Sequence, residues 1–367
     1  MTESTLYTLA RIPPTFYRSA DILTEEQSRI FERNWQFVGF TDELENPNDF
    51  VTATIGRQNI VIQNFDGRLR GFHNVCSHRH ARLRAAACGN GLLRCSYHGW
   101  TYNEAGVPVG IPANAEAFQI DRNAREALAL KPIAVERCGR FVFARIAADG
   151  ESLNAALGAY ADAVAELSET FTDSIADCSI VWTANWKLAV ESAIEVYHAG
   201  LVHPTTFAKV TPNAPVFQGE CLGEHSYGRL AMSGDNIAWW ERVVRRLKLQ
   251  RLERYRAYDH YQLFPNLLIA LSYGSLMCLQ TYQPIDAGRC LLRYRLRFAR
   301  STGEQNPAVR KAVVDALTEF NSAVVAEDIA VTTRVQEGVA DAAGPALLGA
   351  NERRLAHFQD RYMARMI

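Results

Sequence analysis

The segment CSHRHARLRAAACGNGLLRCSYHGW, residues 76–100, contains two short cysteine–histidine pairs. One residue separates Cys76 from His78, two residues separate Cys95 from His98, and 16 residues lie between the pairs. Thiolates and imidazoles are ligands both of zinc and of iron–sulfur centres. The pattern therefore predicts a metal or cluster site formed by two loops.

The spacing favours a [2Fe–2S] cluster. Zinc sites usually place two or more residues between paired ligands, because both ligands bend toward one tetrahedral ion. Alternating cysteine and histidine from two loops can instead bind two irons, with Cys76 and Cys95 on one and His78 and His98 on the other. Zinc stays open as the alternative. Cys88 lies between the pairs and is interpreted as a packed thiol rather than a fifth ligand.

The surrounding sequence indicates two regions. From about Asn46 to Arg145, short apolar stretches alternate with turn residues, and Asp66-Gly67 predicts a hairpin, so this region is predicted to be all-β. After Asp149 the pattern mixes helical and strand-like periodicity. Residues 258–300 predict an antiparallel sheet, and residues 307–338 predict one long helix that begins near its proline and stops at its glycine. The second region is predicted to be α+β.

A second group of metal-ligand residues lies in this α+β region. Glu191, Glu195 and His198 have the spacing of one helix face, and His203 follows five residues after His198. Five residues turn an ideal helix by about 500°, so both histidines reach one ion only if the helix bulges or ends between them. Two histidines and one carboxylate are typical of a non-haem iron that activates O2.

The carboxylate is predicted to come from the C-terminal helix. Asp328 shares a helix face with several valines, and a carboxylate on an apolar face is costly unless it is paired or bound to a cation. Asp328 is therefore the predicted third ligand. Glu327, on a more mixed face, is the second choice.

Both motifs, in this order, resemble those of the Rieske non-haem iron oxygenases. The matching stretches are GFHNVCSHR, GWTYNEAG, IFERNWQFVGFTDEL and EDIAVTTRVQEG, together with Asn185, Trp186, Lys187, Glu195, His198 and His203. His80 departs from the family, which commonly has glycine there. The resemblance implies an α+β protein with an all-β Rieske domain and a helix-grip-like catalytic domain that has an antiparallel sheet and a long C-terminal helix. The expected limits are 1–40 for an N-terminal segment that packs on the catalytic domain, 41–148 for the Rieske domain and 149–367 for the catalytic domain.

The resemblance also implies a terminal oxygenase, that is, a mono- or dioxygenase. Its cofactors would be the [2Fe–2S] cluster and a mononuclear Fe(II), with O2 as co-substrate and NAD(P)H used only through a separate reductase or a ferredoxin. Glu195 would be the catalytic residue that links His98 of one subunit to His198 of its neighbour, which requires an oligomer and leads us to expect a homotrimer. The reaction would be hydroxylation or oxidative dealkylation.

The substrate is expected to be a small aromatic or N-alkylated organic molecule, with a role in the catabolism of aromatic compounds. Glutamate at position 195 resembles the branch that acts on quaternary ammonium compounds such as carnitine, which is the alternative. Either substrate could use aromatic side chains as pocket walls, and Arg229 or Arg242 could hold the carboxylate of a flat acid. The candidate wall residues are Phe207, Phe217, Tyr227, Trp239, Trp240, Tyr261 and Tyr273.

Net charge and hydrophobic pattern bear on the binding partners and the cellular location of the protein. A net charge of −1 over 367 residues gives no electrostatic reason to expect binding to nucleic acid or a membrane surface. The first residues lack a signal-peptide pattern and no apolar run is long enough to span a bilayer, so a cytoplasmic protein is expected. Two rival classes remain: a Rieske electron carrier without oxygenase activity and a zinc-stabilised binding module.

Overall fold

The computed structural model describes residues 7–211 and 217–367. The chain divides into two compact units. One is Phe31–Ala165, and the other is Glu166–Ile367 together with the N-terminal residues up to Ile30. The domain limits at 40 and 148 remain predictions.

The strands follow one another in two groups, one in each unit, apart from a terminal pair. In chain order they are β1 (Tyr7–Leu9), β2 (Gln36–Phe40), β3 (Asp49–Ile55), β4 (Gln58–Phe65), β5 (Arg68–His73), β6 (Cys88–Asn90), β7 (Thr101–Tyr102), β8 (Pro108–Gly110), β9 (Pro132–Cys138), β10 (Phe141–Arg145), β11 (Asp173–Trp182), β12 (Gln218–Leu222), β13 (His225–Leu230), β14 (Tyr258–Leu263), β15 (Leu267–Ser272), β16 (Leu276–Asp286), β17 (Arg289–Phe298) and β18 (Leu347–Gly349).

The α-helices lie mostly in the second unit. They are α1 (Ala20–Glu26), α2 (Arg122–Ala127), α3 (Leu153–Leu157), α4 (Ala161–Thr170), α5 (Trp186–Ile194), α6 (Ala199–Val202), α7 (Gly234–Leu247), α8 (Pro307–Gly338) and α9 (Arg353–Met366). None of the helices in the described ranges is both long and apolar enough to cross a membrane.

The first unit is built on a seven-stranded sheet with the order β2-β10-β9-β5-β4-β3-β6, in which every pair is antiparallel. The predicted hairpin is confirmed, because Phe65 pairs with Arg68 across the two residues Asp66 and Gly67. Both residues have positive φ, 48° and 90°, as the tight turn of a two-residue hairpin requires. A buried apolar cluster includes Cys76 and Cys95 and so anchors the two predicted ligand loops.

The second unit contains another seven-stranded antiparallel sheet, with the order β11-β17-β16-β15-β14-β13-β12. Helix α8 contacts α5, α6, α7 and β11 within this unit. The helix begins as predicted, because the Asn306 side chain accepts hydrogen bonds from the first free backbone N–H groups and Pro307 occupies the first helical position. Gly338 is its last residue, also as predicted. The combination of antiparallel sheets and helices confirms the predicted α+β class.

The N-terminal residues of this unit pack against α5 and α9. Glu26, at the end of α1, is fully buried and forms an ion pair with Lys187 at 2.5 Å. The same carboxylate accepts hydrogen bonds from Trp186 Nε1 at 2.7 Å and from Tyr362 Oη at 2.5 Å. One buried carboxylate therefore connects three helices and fixes the position of α5, the helix that precedes the predicted iron ligands.

Candidate active site

The two predicted cluster loops have the same backbone turn. His80 N donates to Cys76 O at 3.0 Å, and Gly99 N donates to Cys95 O at 3.0 Å. Each turn ends in the left-handed region, with φ of 58° at His80 and 75° at Gly99. Only glycine adopts this region without a steric penalty. The departure at position 80 thus places a side chain where the turn favours glycine.

Replacement of His80 by glycine is expected to raise the free energy of unfolding by about 0.5–1 kcal/mol. The left-handed backbone costs a residue with a Cβ about 1–2 kcal/mol, and the greater freedom of glycine in the unfolded chain offsets part of that gain. The His80 side chain is exposed, so little packing is lost. Denaturant unfolding measures the effect. His80→Ala is the control, because it removes the imidazole but keeps the Cβ; an equal gain in that variant would refute the backbone explanation.

The four predicted cluster ligands come together at the ends of these loops. Cys76 and Cys95 are buried, and the rings of His78 and His98 lie 4.7 Å apart. His78 Nδ1 is buried without a hydrogen-bond partner, as a nitrogen meant for a metal would be. Burial, together with Cys95, raises the pKa of the Cys76 thiol, whereas a hydrogen bond with Tyr102 Oη at 3.0 Å lowers it. This donor set fits a [2Fe–2S] cluster with cysteines on one side and histidines on the other.

The prediction for Cys88 as a packed thiol is wrong. Cys88 lies on β6 at the edge of the sheet and is exposed. Strand β6 is the outermost strand of its sheet, and all three of its residues are exposed.

The prediction of one helix face carrying Glu191, Glu195 and His198 is also wrong. Helix α5 ends at Ile194, and Glu195 is extended, with φ −118° and ψ 166°. Glu191 turns inward instead, where its carboxylate accepts a hydrogen bond from Tyr17 Oη at 2.9 Å. His198 and His203 flank a separate short helix, α6, which ends at Val202, so the two histidines reach one point from its two ends.

His198, His203 and Asp328 converge on one point. Asp328 Oδ1 lies 3.0 Å from His203 Nε2 and 3.4 Å from His198 Nε2, and the two Nε2 atoms are 3.3 Å apart. Asp328 Oδ1 is buried but makes no well-directed hydrogen bond. Three ligands about 2.1 Å from one ion and about 90° apart would lie about 3.0 Å from each other. The donor set therefore fits one cation held by two imidazoles and one carboxylate.

The carboxylates around this site favour the protonated forms of His198 and His203. Burial lowers the pKa of His198, but the carboxylates of Asp328 and Glu195 outweigh it and raise the pKa to about 9. Burial raises the pKa of Asp328, yet His198 and His203 bring it below the usual value. Imidazole binds metals in its neutral form, so a cation entering this site must displace a proton.

The Nδ1 atoms of both imidazoles are held by carboxylates. Glu195 forms a short hydrogen bond with His198 Nδ1. Glu327 Oε2 lies 2.8 Å from His203 Nδ1 and accepts a hydrogen bond from Thr206 Oγ1 at 2.5 Å. Glu327, the second choice as a ligand, therefore faces the outer edge of His203 and not the point of convergence. Such outer partners fix the tautomer and ring orientation of a metal-binding histidine.

Replacement of Glu327 by alanine is expected to weaken Fe(II) binding about 10- to 100-fold, because His203 loses the group that orients its ring. Anaerobic titration of the metal-free protein with Fe(II) measures the dissociation constant. Glu319→Ala, an exposed acid on the same helix, is the matched control. An unchanged dissociation constant in Glu327→Ala would show that His203 is oriented by its packing alone.

A cavity of about 360 Å³ opens beside the three convergent residues, and we call it the aromatic cavity. Its volume lies in the usual range for small-molecule sites. Strands β14–β16 and helices α7 and α8 supply most of its wall. The aromatic residues that line it are Trp182, Phe207, Phe217, Trp239, Trp240, Tyr258, Tyr282 and Phe320, and His260 lies among them.

Only part of the predicted wall lines this cavity. Phe207, Phe217, Trp239 and Trp240 do, whereas Tyr227, Tyr261 and Tyr273 do not. On β14, Tyr258 and His260 face the cavity, so Tyr261 points to the other side of the sheet. The alternation along this strand could have identified both lining residues.

The two arginines proposed from the sequence also lie elsewhere. Arg229 forms an ion pair with Asp259 at 2.7 Å on the opposite side of the sheet from the cavity, and Arg242 is not a lining residue. Neither is placed to hold a substrate carboxylate.

Comparisons with known families agree with this arrangement. The sequence model described as the ring hydroxylating alpha subunit catalytic domain matches residues 170–367, and that of the Rieske [2Fe-2S] domain matches residues 34–129. The chain belongs to the ring-hydroxylating alpha-subunit family, which confirms the family indicated by the sequence motifs. The predicted cofactors, a Rieske [2Fe–2S] cluster and a mononuclear iron used with O2, are those of this family.

The relatives that this chain resembles include both monooxygenases and dioxygenases. The oxygenase subunit of glycine betaine monooxygenase from Chromohalobacter salexigens is 34% identical over 201 residues, which cover 53% of this chain and 43% of that protein. The alpha subunit of benzene 1,2-dioxygenase from Pseudomonas putida is 34% identical over 197 residues, which cover 52% and 43%. The chain thus spans about half the length of the curated relatives it matches. The crystal structure of the quaternary ammonium Rieske monooxygenase CntA with L-carnitine has a TM-score of 0.79 at 22% identity, covering 98% of this chain and 95% of that one.

Proposed function

We propose that this chain is the terminal oxygenase component of a multicomponent Rieske oxygenase. It would carry out the O2-dependent hydroxylation or oxidative dealkylation of a small aromatic or N-alkylated organic substrate. The observation that carries the proposal is the convergence of His198, His203 and Asp328 at the wall of the aromatic cavity. A metal site with no cavity would suit a structural role, and a cavity with no metal site would suit a binding protein.

Each predicted site residue has a role in this proposal. Cys76, His78, Cys95 and His98 hold the cluster, while His198, His203 and Asp328 hold the iron. When bound, the iron would supply O2 activation, with electrons delivered one at a time by the cluster.

The protein residues orient these groups and the substrate. Glu195 and Glu327 hold the outer edges of the two imidazoles, so that both Nε2 atoms point at Asp328. The aromatic walls exclude bulk water and favour a flat or cationic apolar molecule. An N-alkylated cation and an aromatic ring both suit such walls. The quaternary ammonium alternative is supported by Glu195 and by relatives that act on glycine betaine and carnitine.

Glu195 is the proposed route for electrons between subunits. Its carboxylate already contacts His198 Nδ1, and its side chain keeps 12% of its surface exposed, so a second histidine could reach it from a neighbouring molecule. A homotrimer, a cytoplasmic location, a reductase or ferredoxin partner and a role in the catabolism of aromatic compounds belong to the same proposal. They rest on the family resemblance.

Replacement of Glu195 by glutamine is expected to leave iron and sulfide contents unchanged while reducing coupled turnover at least about 100-fold. Glutamine keeps the size of the side chain but removes the charge that holds the bridging imidazoles. Stopped-flow reoxidation of the reduced cluster in the presence of substrate measures the electron transfer step. Glu337→Gln, an exposed acid, is the control. Substantial coupled turnover in Glu195→Gln would remove the proposed bridge.

The test of the function is a count of iron, zinc and sulfide on anaerobically purified protein, with EPR spectra after reduction by dithionite. About three irons and two sulfides per chain, with a Rieske signal, are expected. Two irons would indicate an electron carrier, and zinc without sulfide would indicate a zinc-stabilised module. Substrate-dependent O2 uptake with a reductase and NADH then distinguishes aromatic from N-alkylated substrates.

A further inference from the structure

A buried polar pair lies behind the aromatic wall of the cavity. Arg354, on α9, donates from Nη2 to His260 Nδ1 at 3.1 Å and to His260 O at 3.2 Å. Its Nε donates to Ser226 Oγ at 3.1 Å, and its guanidinium stacks on Phe217 at 4.7 Å from the ring centre. His260 and Phe217 line the cavity, whereas Arg354 does not. The positive charge is therefore one side chain away from the cavity.

This contact fixes the tautomer of His260. A guanidinium can only donate hydrogen bonds, so Nδ1 of His260 must accept and its proton must be on Nε2. Burial, and secondly the charge of Arg354, lower the pKa of His260 well below its usual value, so the ring stays neutral. His260 thus brings one N–H donor of fixed position to the cavity.

A glycine on the neighbouring strand leaves the space that the Arg354 guanidinium and the Phe217 ring occupy. Gly228, on β13, faces Arg354 and Phe217, and a Cβ there would lie 2.9 Å from Arg354 Nη1 and 2.7 Å from Phe217 Cδ1. Any larger residue would displace the guanidinium from His260 or the ring from the wall. The absence of a side chain at this position allows the close approach.

Two aromatic rings, those of Phe207 and Tyr258, lie between His260 and the predicted metal ligand His203. The rings form a series along the wall, with 6.2 Å from His203 to Phe207, 5.0 Å from Phe207 to Tyr258 and 6.3 Å from Tyr258 to His260. Among the described residues that line the cavity there is no lysine or arginine. Neutral polar side chains such as Asn236, Gln280 and Asn321 also line the cavity, but the N–H of His260 is the donor that has the cation Arg354 directly behind it.

We propose that the substrate carries a carboxylate, which accepts a hydrogen bond from His260 Nε2 while its apolar body lies along the aromatic wall toward the metal ligands. An N–H donor with a cation behind it favours an anion over a neutral acceptor, because charge interactions are strong in a buried site. The identity of the bound molecule as substrate rests on the proposed function. The binding of a carboxylate at His260 does not depend on the proposed function.

Isothermal titration of the iron-loaded protein under anaerobic conditions tests the proposal with two pairs of probes. Benzoate is compared with benzamide, and glycine betaine with choline, so that each pair differs in the carboxylate. In at least one pair the carboxylate is expected to bind about tenfold or more tightly. His260→Phe should reduce that ratio to near unity, whereas Phe320→Leu, at an aromatic lining residue on α8, should weaken both members of the pair alike and preserve the ratio.

His260→Gln keeps a donor of similar reach and provides a second variant if His260→Phe does not fold. It should retain more of the ratio than His260→Leu. Equal binding within both pairs, no binding by any of the four probes, or a ratio that survives in both His260→Phe and His260→Leu would overturn the proposal. Failure of the oxygenase function would appear separately, as missing iron or as absent O2 uptake, because the binding ratio needs no turnover.

Discussion

Replacement of Asp328 by alanine is expected to abolish substrate-dependent O2 uptake while the absorption spectrum of the cluster survives. Asp328 Oδ1 lies within 3.4 Å of both His198 Nε2 and His203 Nε2. Without it, two neutral imidazoles face the ion, and the nearest carboxylates, Glu195 and Glu327, lie behind the imidazole rings. We expect the affinity for Fe(II) to fall at least about 100-fold, beyond the effect of removing an outer partner.

The measurement is the iron content of the purified variant, together with its cluster spectrum and O2 uptake. Asp315→Ala provides the control, since this aspartate lies on the same helix and forms only an exposed ion pair with Lys311. A variant that kept its third iron would mean that Asp328 is not a ligand. Loss of the cluster spectrum as well would mean that the two sites had been assigned to the wrong residues.

The second large effect of a substitution is expected at Lys187, which is not one of the predicted ligands. Lys187→Met should lower the free energy of unfolding by about 3–5 kcal/mol, because it leaves the buried carboxylate of Glu26 without its cation. Both side chains are fully buried, and their charged atoms are 2.5 Å apart. Burial lowers the pKa of Lys187, and the carboxylates of Glu26 and Glu191 oppose that shift.

Denaturant unfolding of the purified variants measures the change. Lys311→Met is the matched control, since Lys311 belongs to an exposed pair and should cost less than about 0.5 kcal/mol. The double variant Lys187→Met with Glu26→Gln should recover part of the loss, because it removes the stranded charge. A loss below 1 kcal/mol in Lys187→Met would show that Trp186 and Tyr362 alone satisfy the Glu26 carboxylate.

The contact between Lys187 and Glu26 indicates a structural role for the sequence Asn185-Trp186-Lys187, which lies shortly before the proposed metal site. Asn185 begins α5, since its side chain accepts a hydrogen bond from Lys187 N at 3.0 Å. Trp186 and Lys187 then attach the helix to Glu26. These residues match the family motif, and the hydrogen bonds described for the Trp186 and Lys187 side chains lead to Glu26. Their role is to fix where α5 lies, and hence where the chain leaves it for His198.

Several features could be predicted from the sequence because local interactions produce them. The hairpin at Asp66-Gly67 needs two residues that tolerate positive φ, and the start of α8 needs a capping asparagine followed by proline. The candidate ligand residues of both sites were proposed from their types and spacing, since few side chains bind iron. In the hairpin and the helix start, the determining atoms lie within a few residues along the chain.

Only the tertiary structure decided the rest. Glu327 and Asp328 are neighbours about 100° apart on one helix, and the packing of α8 determines which of them meets the two histidines. The end of α5 before Glu195, the exclusion of Arg229 from the cavity and the contact between His260 and Arg354 likewise depend on residues distant in sequence. Periodicity shows which face of an element is apolar, but it does not show which partner that face will meet.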